Sequence, residues 1–240
     1  MCEGISPIVV SREDVVSFTD DNFAGNPVRY YRVSSVNGIY EELTPEILGK
    51  QTFVLYGIPD TGNLRDTENW ISLALDVSYT ASSFMDMVPD VYRINQLQRG
   101  AGTFDRTSCD KGYACGEDDF VLQPGQGYGV EVGSDSEVTV VGGILRGSTS
   151  INLYGQESDN ILDTENWISV PYSSTQHTAE SLMDNMPGVF RVHKLARNSE
   201  IPYFNLISCD SGSECGADNF IIKPGEGYKV EMSQNVEVTP

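Results

Sequence analysis

Five cysteines, two histidines and two tryptophans are the side chains from which this chain could build chemistry, and their spacing narrows what that chemistry is. Cys109 and Cys115, and again Cys209 and Cys215, form C-x5-C pairs in loops rich in Gly and Asp. Three readings are open for such a pair: a local disulfide, a metal or redox site, or free thiols. Zinc sites and thioredoxin-like sites favour C-x2-C spacing, and no histidine stands near either pair, so the disulfide is the stronger expectation. A ring this small stabilises by about 2 kcal/mol on the loop-entropy model. Two such staples imply an oxidising compartment, hence an extracellular or cell-surface location. Cys2 is left over, as a free thiol, an intermolecular partner or a lipidated cysteine.

Catalysis finds little to work with. The sequence holds no H-E-x-x-H, no G-x-S-x-G, no phosphate-cradling loop and no dinucleotide fingerprint, so no enzyme is expected. His177 and His193 read as surface histidines. Among 35 carboxylates some pair will fall at a glycosidase-like separation by chance alone. Calcium is the one cofactor on offer. Asp60, Asp66 and Glu68, and later Asp159, Asp163 and Glu165, put hard oxygen ligands in polar loops, although neither set follows the EF-hand pattern. Trp70, Trp167, Tyr128 and Tyr228 are expected to anchor the core; the alternative makes them aromatic platforms for a carbohydrate.

These residues recur at matched places. Asp66-Thr67-Glu68-Asn69-Trp70-Ile71-Ser72 returns as Asp163-Thr164-Glu165-Asn166-Trp167-Ile168-Ser169, at an offset of 97. Met85-Asp86 returns as Met183-Asp184, Arg93 as Arg191, and Pro124-Gly125-Gln126-Gly127-Tyr128 as Pro224-Gly225-Glu226-Gly227-Tyr228. The chain is a tandem repeat of a unit of roughly 90 residues, copy one at 51–147 and copy two at 148–240. Residues 1–50 match neither copy well and read as a degenerate repeat or an assembly arm. His177 and His193 have Tyr79 and Asn95 at the equivalent places in copy one.

Composition is that of a folded protein, 39% apolar, with a net charge of −20. That charge repels phosphate backbones and anionic lipid, so nucleic acid and membrane surfaces are poor partners. No apolar run is long enough to span a bilayer, and no signal peptide is visible.

The elements that must position these residues follow one plan in both copies. Strands are expected at 53–57 and 151–155, then at each Trp-Ile-Ser. A short helix follows at Ala81–Met87 and at 179–186, capped by Thr80 and Thr178 and stopped by Pro89 and Pro187. Next come half-buried strands at 91–94 and 189–192, with Arg93 and Arg191 paired to acids across the sheet. Strands at 120–122 and 220–222 then meet the Pro-Gly-x-Gly turn, which predicts a β-hairpin with the alternating strand that begins at Tyr128 or Tyr228. In the leader, 8–10 and 28–33 read as strands and Ser11 as a helix cap. The fold class is mostly β: two tandem small barrel-like or sandwich-like repeats, each with one short helix, plus an N-terminal segment. A linker of about nine residues predicts that the closing strand of copy one lies near the opening strand of copy two.

Asn-Trp-Ile-Ser, then Thr-Ala-x-x-Leu, a Val-x-Arg strand and Phe-x-Ile-x-Pro-Gly-Glu-Gly-Tyr resemble a repeat of large secreted and surface proteins of bacteria and archaea. The likeness covers residues 54–240, and copy one departs from it at Ala74, where copy two has Pro171. It implies an extracellular β module with no catalytic residues. The function expected is therefore a non-enzymatic, extracellular or cell-surface β-repeat protein acting in adhesion or assembly. Its partners would be other surface proteins or glycans, or further copies joined through the N-terminal segment. The alternatives are a carbohydrate-binding module and a structural subunit of a filament, coat or virion.

Overall fold

A computed structural model describes residues 28–37, 40–57, 68–100, 103–112, 115–145, 150–155, 164–170, 177–196, 205–213 and 215–238, with side chains except at 28–29, 32–46, 98–105 and 117. Cys2, the strand expected at 8–10 and the helix start at Ser11 lie outside the described residues.

The described residues are built mostly of antiparallel strands. A hairpin of β1 (Val28–Asn37) and β2 (Tyr40–Leu55) comes first. Copy one continues through β3 (Glu68–Ser72), β4 (Leu75–Asp76), β5 (Tyr79–Thr80), α1 (Ala81–Met87), β6 (Val91–Gly100), β7 (Thr103–Asp110), β8 (Val121–Leu122), β9 (Gly127–Val132) and β10 (Ser136–Ile144). Copy two has β11 (Ile151–Leu153), β12 (Glu165–Ile168), α2 (Ala179–Asn185), β13 (Val189–Ala196), β14 (Asn205–Asp210), β15 (Tyr228–Met232) and β16 (Val236–Val238). Copy one forms a sheet ordered β3-β9-β6-β7, and copy two forms β12-β15-β13-β14 from the corresponding strands. Each sheet lays one face on its own apolar cluster. Ile71, Ile94, Val130 and Phe84 lie in the first, and Ile168, Val192, Val230 and Leu182 in the second. The sheets stay open; none closes into a barrel.

The helices stand where the caps put them. Thr80 Oγ1 accepts from the Ser83 N–H while Ser83 Oγ accepts from the Thr80 N–H, a reciprocal capping box that Thr178 and Ser181 repeat. Seven residues are too few for a helix to hold itself in water, and α1 is held by burying Ala81, Phe84 and Met85. Asp119 adds a cap from outside, accepting from Ser82 N at 2.9 Å and Ser82 Oγ at 2.7 Å. Burial opposes its charge, but these bonds outweigh it and hold the carboxyl below its usual range.

Two expectations are corrected. The Pro-Gly-x-Gly turn does not join a hairpin: β8 pairs with β5, and β9 lies between β3 and β6. Both edges of β9 are thereby taken, and the Tyr128 hydroxyl accepts the Gln123 N–H at 2.6 Å where a hairpin partner would sit. Tyr228 does the same for Lys223 at 2.8 Å. The closing strands do not reach across the linker either. β10 returns to β2 and β16 to β11, each on the opening strand of its own copy. β2 runs unbroken from Tyr40 to Leu55, across residue 50.

A buried polar joint between two sheets

Strand alternation sends every second side chain of each four-stranded sheet away from the apolar cluster. In copy one the register places Glu68, Trp70 and Ser72 opposite Glu131, Gly129 and Gly127, with Arg93 and Asn95 beside them. In copy two Glu165 and Trp167 stand opposite Glu231 and Lys229, with Arg191 and His193 beside them. These two polar faces meet. The Lys229 ammonium lies 4.4 Å from the ring centre of Trp70 and 4.7 Å from that of Trp167, and 3.4 Å from Glu165 Oε1. Arg106 lies over Trp167 at 5.6 Å and reaches Glu68 at 3.3 Å. Glu131 and Glu231 are only 1% and 2% exposed.

The joint is closed by a reciprocal exchange. The turn of each copy pairs with the Trp-Ile-Ser strand of the other, as isolated bridges Ile71 to Glu226 and Ile168 to Gln126. Ser72 N–H donates to Gly225 O at 3.1 Å, and Ser169 N–H donates to Gly125 O at 2.9 Å. The same patch thus contacts itself across a pseudo-two-fold, the isologous arrangement of a dimer, here within one chain.

Within each face a three-membered relay repeats with one exchange. In copy one Ser108 Oγ donates to Asn95 Oδ1 at 2.6 Å, and Asn95 Nδ2 donates to Glu131 Oε1 at 2.7 Å. In copy two Ser208 Oγ lies 2.7 Å from His193 Nδ1, and His193 Nε2 lies 2.6 Å from Glu231 Oε1. With its proton on Nε2, the imidazole offers the same acceptor and the same donor as the amide. Arg93 and Arg191 pair with Asp110 and Asp210, and also reach Glu131 at 3.7 Å and Glu231 at 3.2 Å, as expected of acids across the sheet. The Arg191 hydrogen bond holds Asp210 below its usual range. Glu131 moves the other way: burial raises it, and Glu68 adds to this, against the hydrogen bond from Asn95 and the nearby arginines.

Cys109–Cys115 and Cys209–Cys215 are disulfides, with Cα atoms 5.2 Å apart in each. Tyr128 and Tyr228 are buried core residues stacked on Phe120 and Phe220 at 5.9 and 6.0 Å, and burial pushes both phenols well above their usual range. Trp167 is 9% exposed and Trp70 half-buried, but both lie in the joint rather than in the apolar clusters. Asp60, Asp66, Asp159 and Asp163 lie outside the described residues. The carboxylates of Glu68 and Glu165, their expected companions in calcium loops, are engaged by Arg106 and Lys229. His193 corrects the surface expectation, at 9% exposure inside the joint, whereas His177 is partly exposed. Glu131, Glu231, Lys229 and Arg106 went unpredicted. Their period-two placement opposite the apolar positions marked them as one face, but not as a buried one.

Among the described residues, fold and joint define an antiparallel, disulfide-stapled β protein in which two similar sheets meet through a largely buried polar layer. No family model, no curated protein and no solved structure matches the chain.

Proposed function

We propose that the chain is a non-enzymatic extracellular or cell-surface β module, two tandem sandwich-like repeats that act by presenting their outer surface in adhesion or assembly. The observation that carries this reading is the exchange of His193 for Asn95. Ser208, His193 and Glu231 have the composition of a catalytic relay, yet copy one makes the same bonds with an amide that cannot take up a proton. The group serves to tie serine to glutamate, and the joint around it is occupied by the protein's own tryptophans and lysine. The two disulfides support an oxidising compartment. The resemblance to surface-protein repeats points the same way.

The test is labelling of intact source cells with a membrane-impermeant amine reagent, followed by a non-reducing peptide map. Modification at the exposed Lys111 or Lys223, with both disulfides intact, supports the reading. Recovery only from the cytosol with four free thiols would overturn it. So would turnover of ester, peptide or glycoside substrates by the purified chain that His193→Asn abolishes.

A further inference from the structure

Beside the joint, between the turn of copy one and strands β11 and β12 of copy two, lies an open cleft of about 550 Å³. Its size falls within the range of about 300–1,000 Å³ usual for small-molecule sites. In a chain of net charge −20, no charged residue lines it among the described residues. Its polar groups are amides and hydroxyls, chiefly Gln96, Gln123, Gln126, Asn152 and Ser150, with Tyr154 on the wall. Gln96 Oε1 is buried with no hydrogen-bond partner among the described residues. A buried polar atom without a partner is costly, and a ligand hydroxyl would relieve that cost.

The pseudo-two-fold supplies an internal comparison. The positions of Gln96, Gln123 and Gln126 are held in copy two by Lys194, Lys223 and Glu226. There Lys194 Nζ lies 3.0 Å from Glu226 Oε2, and Lys223 Nζ lies 3.9 Å from Glu226 Oε1. One side of the molecule is thus tied by an ion-paired trio, whereas the other carries three neutral amides, of which Gln126 donates from Nε2 to Leu97 O at 3.4 Å and accepts at Oε1 from the Tyr128 hydroxyl at 3.5 Å.

We propose that this cleft binds a neutral saccharide. An amide presents a donor and an acceptor side by side, which suits the vicinal hydroxyls of a sugar, and it brings no charge whose water must be stripped. The Tyr154 ring gives the apolar C–H face of a sugar ring something to pack on. The field of the chain disfavours anionic ligands, and among the described residues no carboxylate lines the cleft to attract a cation. The cleft shares Gly125, Gln126, Trp167 and Ile168 with the edge of the joint, and its chemistry does not depend on where the chain resides.

The intact chain is to be tested on an array of neutral mono- to tetrasaccharides, with sialylated, sulfated and uronic-acid glycans and uncharged peptides as comparisons, and hits titrated by calorimetry. The triple variant Gln96→Lys, Gln123→Lys, Gln126→Glu transplants the ion-paired trio into the cleft. Asn152→Ala, at an exposed strand position, removes one amide and leaves the fold alone. Neutral saccharides should bind, anionic ones should not, and affinity should fall at least tenfold in the triple variant and measurably in Asn152→Ala. The proposal is overturned if no neutral saccharide binds, if anionic glycans or peptides bind as well or better, or if Asn152→Ala and a folded triple variant bind undiminished.

Discussion

At Gly127 and Gly227 the backbone of one copy lies against the backbone of the other, and an added methyl group at either should act as a wedge. A Cβ on Gly227 would stand 2.8 Å from Ile71 O and 3.0 Å from Ile71 N, and one on Gly127 would stand 2.9 Å from Ile168 O. The atoms met are backbone atoms of β3 and β12, which are paired into sheets and cannot swing aside. Neither glycine has a positive φ, so alanine is conformationally acceptable and the cost is contact alone. Overpacking of this kind costs about 1–3 kcal/mol. Loss of freedom in the unfolded chain returns about 0.4–1 kcal/mol. The net loss for Gly227→Ala is therefore about 1–2 kcal/mol. For a chain of this length that corresponds to a drop in melting temperature of roughly 2–8 °C. Gly133 is the control, since its Cβ would meet only Asp90 O, at 3.9 Å. Gly133→Ala should be neutral or slightly stabilising. The double variant Gly127→Ala, Gly227→Ala should lose less than the sum, because both substitutions push at one joint. Urea midpoints read by circular dichroism decide the matter. If Gly227→Ala and Gly133→Ala unfold at the same midpoint, the two backbones do not press on each other and the reciprocal joint is wrong.

Lys229→Met should lower stability by about 1–2 kcal/mol, since a cation sandwiched by aromatic rings is worth up to about 2 kcal/mol when desolvated; a shift in tryptophan emission should accompany it, and unchanged emission would argue against the clamp. The buried Glu131 and the partly exposed Asp210 should have opposite pH signatures. Glu131 is raised in the folded state, so its contribution is present below the unfolded carboxyl value and is lost as pH rises through the folded one. The stability of wild type relative to Glu131→Gln should accordingly fall from acid to neutral pH. Asp210 is lowered, so its contribution is present above the unfolded value and is lost as pH falls through the folded one; the advantage over Asp210→Asn should shrink in acid. Denaturant titrations across pH that give the two variants the same slope would refute the assignment. Replacing Cys209 and Cys215 by serine should cost about 2 kcal/mol on the loop-entropy model, and a midpoint unmoved in urea would show that the ring does not constrain the unfolded chain.

Much of the local structure was legible because its causes are local. Thr80 and Thr178 followed by a serine three residues on, with Pro89 and Pro187 beyond, bracket the helices, since a cap and a missing N–H act within one turn. The six-residue cysteine separation gave the disulfides for the same reason. The arginine pairs were readable from strand alternation. The hairpin at the Pro-Gly-x-Gly turn misled because a tight turn guarantees only a change of direction. Which strand an edge then joins depends on competing edges, and β3 and β6 are far away in sequence.

The sequence by itself determined the repeat, the mostly-β class, the caps and the two-faced strands, because each depends on spacing along the chain. Tertiary structure alone decided what the second face meets. A run such as Glu165-x-Trp167-x-Ser169 alternates identically whether it looks onto water or onto another sheet. Only the docking of two similar polar faces turns Glu131, Glu231 and His193 into buried groups and sets Lys229 between two tryptophans. That docking depends on the desolvation of charges and on contacts between residues far apart in the chain, such as Lys229 over Trp70, and one-dimensional periodicity carries no record of them.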